Sequence, residues 1–202
     1  MIRTKGCSGY LRAFAWHETN ENNTMNYTIR LARETDLAHL PGIERAAATL
    51  FAPYERFQHL LADAMSVEEH RALCAAGRLW VTADEHDQPV GFVAVEQVDE
   101  HPHIQELDIH PDHGRRGLGA AMIEAVCEWA RANGQTAITL TTERDVPWNA
   151  PYYARLGFEI LPEAQWGAGL REIAVDEIAL GLNPETRVAM IRRFAASGDV
   201  PA

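Results

Sequence analysis

At 202 residues, 47% of them hydrophobic, the chain is long enough for one globular domain with a sizeable core plus extensions, and no linker-like stretch divides it. Eighteen Lys and Arg against 29 Asp and Glu leave a net charge of −11, a field that argues against nucleic acid as a partner and tolerates a cationic amine. The three cysteines, Cys7, Cys74 and Cys127, form no CxxC pair and read as reduced thiols of a cytoplasmic protein, and no run approaches the ~20 apolar residues of a membrane span.

Residues 1–24 end in the polar run from His17 to Thr24 and read as a loosely ordered N-terminal extension, with the domain spanning 25–183. Tyr27 to Ala32 alternates as a strand, and Asp36 caps a helix carrying Leu37, Leu40, Ile43 and Ala47 at helical spacing. Ser66 and Glu69 form a capping box for a helix that Gly77 closes. Three successive strands follow, Leu79 to Ala83, Pro89 to Val98 and His103 to His110, with polar turns between them. From Gly117 the period is helical, with Leu118, Met122, Val126 and Trp129 on one stripe and Asn133-Gly134 as the stop. A strand from Ala137 to Thr141 precedes a short helix opened by Pro151 and ended by Gly157. Phe158 to Leu161 and Arg171 to Leu182 are read as closing strands. The tail, 184–202, with Val188, Ile191 and Phe194 at helical spacing, is read as an amphipathic helix packed on the domain or on a second subunit.

The chemistry concentrates where the third strand of that series meets the long helix. The loop from His110 to Gly119 holds Gly114, Gly117 and Gly119, which let backbone N–H groups approach an anion at the positive end of a helix dipole. Arg115 and Arg116 add charge in an otherwise acidic chain. There is no Gly-Lys-Ser/Thr, and no Gly-x-Gly-x-x-Gly after the first strand, so neither the P-loop nor the dinucleotide fold accounts for it.

The stretch Glu106-Leu107-Asp108-Ile109-His110-Pro111, the loop Gly114-Arg115-Arg116-Gly117-Leu118-Gly119, and Tyr153 four residues before Gly157-Phe158 together resemble the GNAT superfamily of acyl-CoA-dependent N-acyltransferases. The resemblance spans Met25 to Leu182 and implies an α/β (α+β) fold with a mixed, mostly antiparallel central sheet of six to seven strands, flanked by helices and splayed at its centre. It implies acetyl-CoA as cosubstrate, with Leu107, Asp108 and Ile109 pairing with the pantetheine arm and Gly114, Arg115, Arg116, Gly117, Leu118, Gly119 and Ala120 cradling the pyrophosphate. Asn149 is either a further cofactor contact or a helix cap. The sequence departs from the family pattern at Gly114, where Gln or Arg is usual, at Val146, where Asn is frequent, and at Thr141, where some relatives carry a carboxylate.

The resemblance further implies Tyr153 as general acid, Ile109 N–H as donor to the developing oxyanion, and Glu106, before Asp108, as base by family position; two carboxylates two apart on a strand share a face. Trp148, Trp166, Tyr54 and Phe57 are candidates for the acceptor side. His101, His103, His110 and His113 straddle a strand in different turns with no cysteine nearby, so no metal is expected. The expected activity is N-acetyl transfer to a primary amine of a small molecule or a protein, with a homodimer plausible. The competing expectation is a catalytically silent acyl-CoA-binding domain.

Overall fold

The computed structural model describes residues 14–17 and 26–195. Strand β1 (Phe14–His17) pairs antiparallel with β2 (Asn26–Leu31), so part of the expected loose extension joins the sheet, while the rest of it lies outside the described residues. A 3-10 turn (Glu34–His39) leads into α1 (Leu40–Ala48). Asp36 sits inside that turn, not at its cap: its carboxylate accepts from the Arg33 amide at 2.7 Å and pairs with the Arg30 guanidinium at 2.6 Å. Helix α2 (Val67–Ala75) starts on the expected capping box, with Ser66 Oγ accepting from Glu69 N at 3.2 Å and the Glu69 carboxylate accepting from Ser66 N at 2.7 Å.

Strands β3 (Leu79–Ala83), β4 (Pro89–Val98) and β5 (His101–Ile109) form an antiparallel meander. Helix α3 (Leu118–Ala132) then crosses over to β6 (Ala137–Glu143), which runs parallel to β5. The chain continues through α4 (Ala150–Arg155), β7 (Glu159–Ile160), α5 (Ala168–Ala179) and β8 (Arg187–Arg193). The sheet order is β1-β2-β3-β4-β5-β6-β8-β7.

Two expectations are corrected here. The stretch Arg171–Leu182 is mostly helix, not strand. Leu170 and Ile173 pack inward one turn apart, and Glu177 follows on the same face, while Val175, Ile178 and Leu180 are 64%, 50% and 58% exposed. The tail is not a helix at 187–193: β8 lies between β6 and β7, so the sheet runs past residue 183. Val188, Ala189, Met190 and Ile191 are all buried because helices or loops cover both faces of that strand, which erases any period of two.

The core divides by sheet face. Ile104, Val93 and Val95 meet Met122, Ile123 and Val126 of α3 on one face; Phe92, Ala94 and Val81 meet Leu40 and Ile43 of α1 on the other. No helix among the described residues is long and apolar enough to cross a membrane.

Candidate active site

The register of β4 against β5 slips between Ala94 and Val95, whose partners are Glu106 and Ile104, so Gln105 forms a bulge. The extra residue turns the rest of β5 over. Ile104 faces α3, and so do Leu107 and Ile109, whereas Glu106 and Asp108 turn to the α1 face. Without the bulge the two carboxylates would share the face of Ile104 and point into the α3 core.

Strand β5 pairs with β6 only at His103↔Thr139 and Ile104↔Leu140. Beyond that point the two strands splay, and β5 keeps an unpaired edge from Glu106 to Ile109. The His110 amide donates to Val90 O of β4 at 2.8 Å. Because successive amides alternate sides in a strand, the Ile109 N–H points to the open edge.

At the end of that edge lies the cradle. Gly117 takes φ +75° as N-cap of α3, and the Ala121 amide is the first to return to its carbonyl, at 3.0 Å. The amides of Leu118, Gly119 and Ala120 therefore have no intrahelical acceptor. Leu118 itself is buried with Tyr27 and Val90, so its side chain anchors the helix while its backbone faces the loop. Arg115 also takes a positive φ and is exposed. Arg116 bends back: it donates to the Tyr27 hydroxyl at 2.8 Å and to Asp112 O at 3.2 Å, so this side chain braces the loop. Gly114 is in extended conformation, its amide donating to Pro111 O at 3.0 Å. Asn149 occupies the N-cap position of α4 but makes no side-chain capping bond; its carbonyl receives the Tyr152 and Tyr153 amides at 2.8 and 3.0 Å.

Helix α4 aims two phenols at the splay. Tyr153 packs on the α3-side core edge-on to Phe158; burial, then the charges of Glu106, Tyr152 and Asp108, push its phenol well above the usual range. The hydroxyl of Tyr152 reaches the cradle, where a Cβ added to Gly119 would lie 3.1 Å from it. Only the α4 packing angle reveals this, and no sequence pattern carries it.

On the α1 face, Glu44 joins Glu106 and Asp108, with one oxygen of each within 4.8 Å of the others. Burial, then the charge of Glu44, raise the Glu106 carboxyl to about 7; Asp108 is raised well above its ordinary value by burial, Glu106 and Glu44, and its Oδ2 is enclosed without a hydrogen-bond partner. Glu44 was missed in the sequence because its helix reads there as packing alone. Further along the splay, Arg187 gathers Glu177, the Thr141 hydroxyl at 3.3 Å and Glu143 at 3.7 Å. Thr141 also donates to Glu177 at 2.7 Å, so the residue that replaces a carboxylate is used to hold one. Arg56 adds ion pairs to Asp145 at 2.8 Å and Glu143 at 3.5 Å and lies 4.8 Å from the centre of the Phe57 ring. Phe51, Tyr54 and Trp148 complete an aromatic wall beside it. Trp166 is elsewhere, donating to Leu161 O at 2.9 Å and packing with Leu170.

The histidines do not converge. His103 is buried against the Thr139 hydroxyl at 3.0 Å and held neutral, lowered to about 4 by burial; His110 accepts from Asp112 N at 3.3 Å; His113 bonds Tyr27 at 3.0 Å.

The bulged strand with its open edge thus leads directly into amides without intrahelical acceptors at a glycine-opened helix. Residues 44–158 match the Acetyltransferase (GNAT) family. The chain belongs to that family. Among curated relatives, mycothiol acetyltransferase of Kineococcus radiotolerans is 38% identical over 81 residues, 38% of this chain and 26% of that protein. An uncharacterized N-acetyltransferase of Methanocaldococcus jannaschii is 33% identical over 79 residues, 36% of this chain and 35% of that protein. The chain thus spans about a third or less of either relative. Among solved structures, PaiA N-acetyltransferase of Thermoplasma acidophilum in complex with coenzyme A superposes with TM-score 0.62 over 83% of this chain and 99% of that one, at 13% identity. N-acetylglutamate synthase of Neisseria gonorrhoeae, complexed with coenzyme A and N-acetyl-glutamate, gives 0.64 over 84% of this chain and 35% of that one, at 16% identity. At these identities the likeness is one of fold: the mostly antiparallel sheet flanked by helices is that of the GNAT acyltransferases.

Proposed function

We propose that this GNAT protein transfers an acetyl group from acetyl-CoA to a primary amine by direct attack. The observation that carries the reading is the unpaired β5 edge, which opens between the helix α3 amides on one side and Glu106 and Tyr153 on the other. The residues fit the cosubstrate: Leu107, Asp108 and Ile109 offer a strand edge to a pantetheine arm, the amides of Leu118, Gly119 and Ala120 face a pyrophosphate, and Arg115 adds charge. Gly114 has no side chain to offer, and Arg116 supports the loop from behind.

Acetyl-CoA supplies the thioester and its sulfur leaves as a thiolate. The Ile109 N–H, directed to the open edge, is the donor for charge developing on the carbonyl oxygen. Glu106 takes the amine's proton, a task suited to a carboxyl held near neutrality. Tyr153 remains protonated at every working pH, and its O–H is the donor for the sulfur. A phenol held so high is a weak acid while Glu106 is ionised. Once Glu106 accepts a proton its charge vanishes, and with it one of the forces raising Tyr153. Uptake at Glu106 and release at Tyr153 therefore favour each other.

The acceptor approaches past Glu44, Asp108, Glu143 and Asp145, where the two arginines are already paired with carboxylates. This lining suits an ammonium-bearing acceptor. The test is release of CoA thiol from acetyl-CoA across a panel of amines. Wild type is expected to turn over, and Tyr153→Phe to lose about 100-fold in kcat with unchanged cofactor affinity. Cofactor binding without turnover of any amine would point to a silent acyl-CoA-binding domain; full activity in Tyr153→Phe would remove the general acid.

A further inference from the structure

Glu44 lies outside every motif that identifies the site, on α1, one turn after Leu40. Its Oε2 accepts the Met65 amide at 3.0 Å, a bond from the segment entering α2 that fixes the side chain toward β5. So held, it brings a carboxylate oxygen within 4.8 Å of one on Glu106 and one on Asp108. A contact made only to satisfy the Met65 amide would need one oxygen and no charge. A third carboxylate set against two others in a half-buried cleft costs energy unless a proton is shared among them, and the Asp108 Oδ2 is enclosed there without a hydrogen-bond partner.

We propose that Glu44 is a positioning residue for the base: through it, the amine's proton is received by a group of three carboxylates and not by Glu106 alone. The inference rests on the acetyl-transfer reading. When the ammonium loses its proton, the N–H electron pair stays on nitrogen as the lone pair that forms the new C–N bond; the proton passes to Glu106 and is shared across the facing carboxylate oxygens, while the C–S bond breaks and the departing thiolate takes a proton from Tyr153. Groups facing Glu106 come from four elements: Glu44 from α1, Asp108 from β5 itself, Tyr153 from α4 and Arg187 from β8; Arg45 and Glu69 act on Glu44 from behind. Glu44 and Asp108 disfavour a bare Glu106 carboxylate, Tyr153 is a neutral phenol beside it, and the Leu107 amide and Arg187, already shared among Glu143 and Glu177, favour it. After burial, the charge of Glu44 is the strongest influence raising Glu106, and burial raises Glu44 itself.

The decisive variant is Glu44→Gln, which keeps an oxygen for the Met65 amide and removes only the charge. The acid limb of kcat/KM against pH is expected to move down by about one pH unit, a tenfold loss of proton affinity, or ~1.4 kcal/mol. Glu44→Asp, which retains the charge, is expected to stay near the wild-type limb. In parallel, 13C titration of the Glu106 carboxyl in the full chain without substrates, assigned with Glu106→Gln, is expected to show the same downward move in Glu44→Gln. An unmoved Glu106 midpoint in a natively folded Glu44→Gln protein overturns the proposal, as does an equal move in Glu44→Asp. If wild type acetylates no amine, the acetyl-transfer reading fails, and the 13C titration still decides whether Glu44 governs Glu106.

Discussion

Replacing Glu106 by Gln should destroy activity and yet strengthen the fold, and the size of the gain should depend on pH in a way that can be worked out. The folded protein holds this carboxyl at about 7 against an ordinary 4.5, chiefly through burial and then through Glu44. A carboxyl raised on folding binds its proton more tightly in the native state. Its favourable contribution is complete below about pH 4.5 and disappears as the pH climbs through 7. At ~1.4 kcal/mol per pH unit, the wild type should forfeit up to about 3 kcal/mol of stability at this residue between pH 5 and pH 8. Gln has nothing to ionise and keeps the shape. Urea unfolding of both proteins at pH 5, 6, 7 and 8 should therefore give curves that nearly coincide at pH 5 and separate progressively, with Glu106→Gln the more stable at pH 8, by as much as about 3 kcal/mol. Turnover should fall by about 100-fold or more across the whole range. Parallel stability curves, with the same difference at every pH, would refute the account of Glu106 as a base held in an unfavourable environment.

Arg187→Met should destabilise the fold by about 3 kcal/mol in the same urea assay, because Glu143, 2% exposed, would keep only the 3.5 Å contact with Arg56, and Glu177 would lose its guanidinium. Gly91→Ala should cost about 2 kcal/mol and most of the activity together, since the new Cβ would stand 2.8 Å from the Asp108 carbonyl and force β5 away from β4; thermal melts and turnover report the two effects. Gly119→Ala should raise the KM for acetyl-CoA about tenfold, ~1.4 kcal/mol, by pressing a methyl group to 3.1 Å from the Tyr152 hydroxyl. Adding Tyr152→Phe to that variant should recover part of the loss, and a double-mutant cycle measures the coupling.

The parts of the site that could be read from the chain are those whose residue type is dictated by backbone geometry. Gly117 must adopt a positive φ, and a tyrosine four residues before Gly157-Phe158 is set by one helical turn and a C-cap. Glu106 and Asp108 share a face, as an i, i+2 pair must, but which face depends on the bulge at Gln105, and nothing in the local sequence announces it. Glu44 and Tyr152 enter the site through packing angles between distant elements, beyond the reach of periodicity. The exchange of helix and strand near the end of the domain has a plainer cause. Hydrophobicity reports burial only when one face is wet: α5 and its C-cap expose Val175, Ile178 and Leu180, and β8 buries four consecutive residues, so each presents the other's pattern.

The place of β8 also bears on how the chain comes to be folded. The residues Arg187–Arg193 are inserted between β6 and β7, both made earlier in the chain. As the polypeptide leaves the ribosome, the meander of β2 to β5 can assemble with α1 to α3, but β6 has one flank bare and β7 has no neighbour at all until this later segment emerges. Arg187, the anchor for Glu143 and Glu177, arrives with it. A nascent chain can thus carry a finished cradle before the wall of Glu143, Glu177 and Arg187 beside it exists, and that wall is completed only by a long-range pairing of the slow kind.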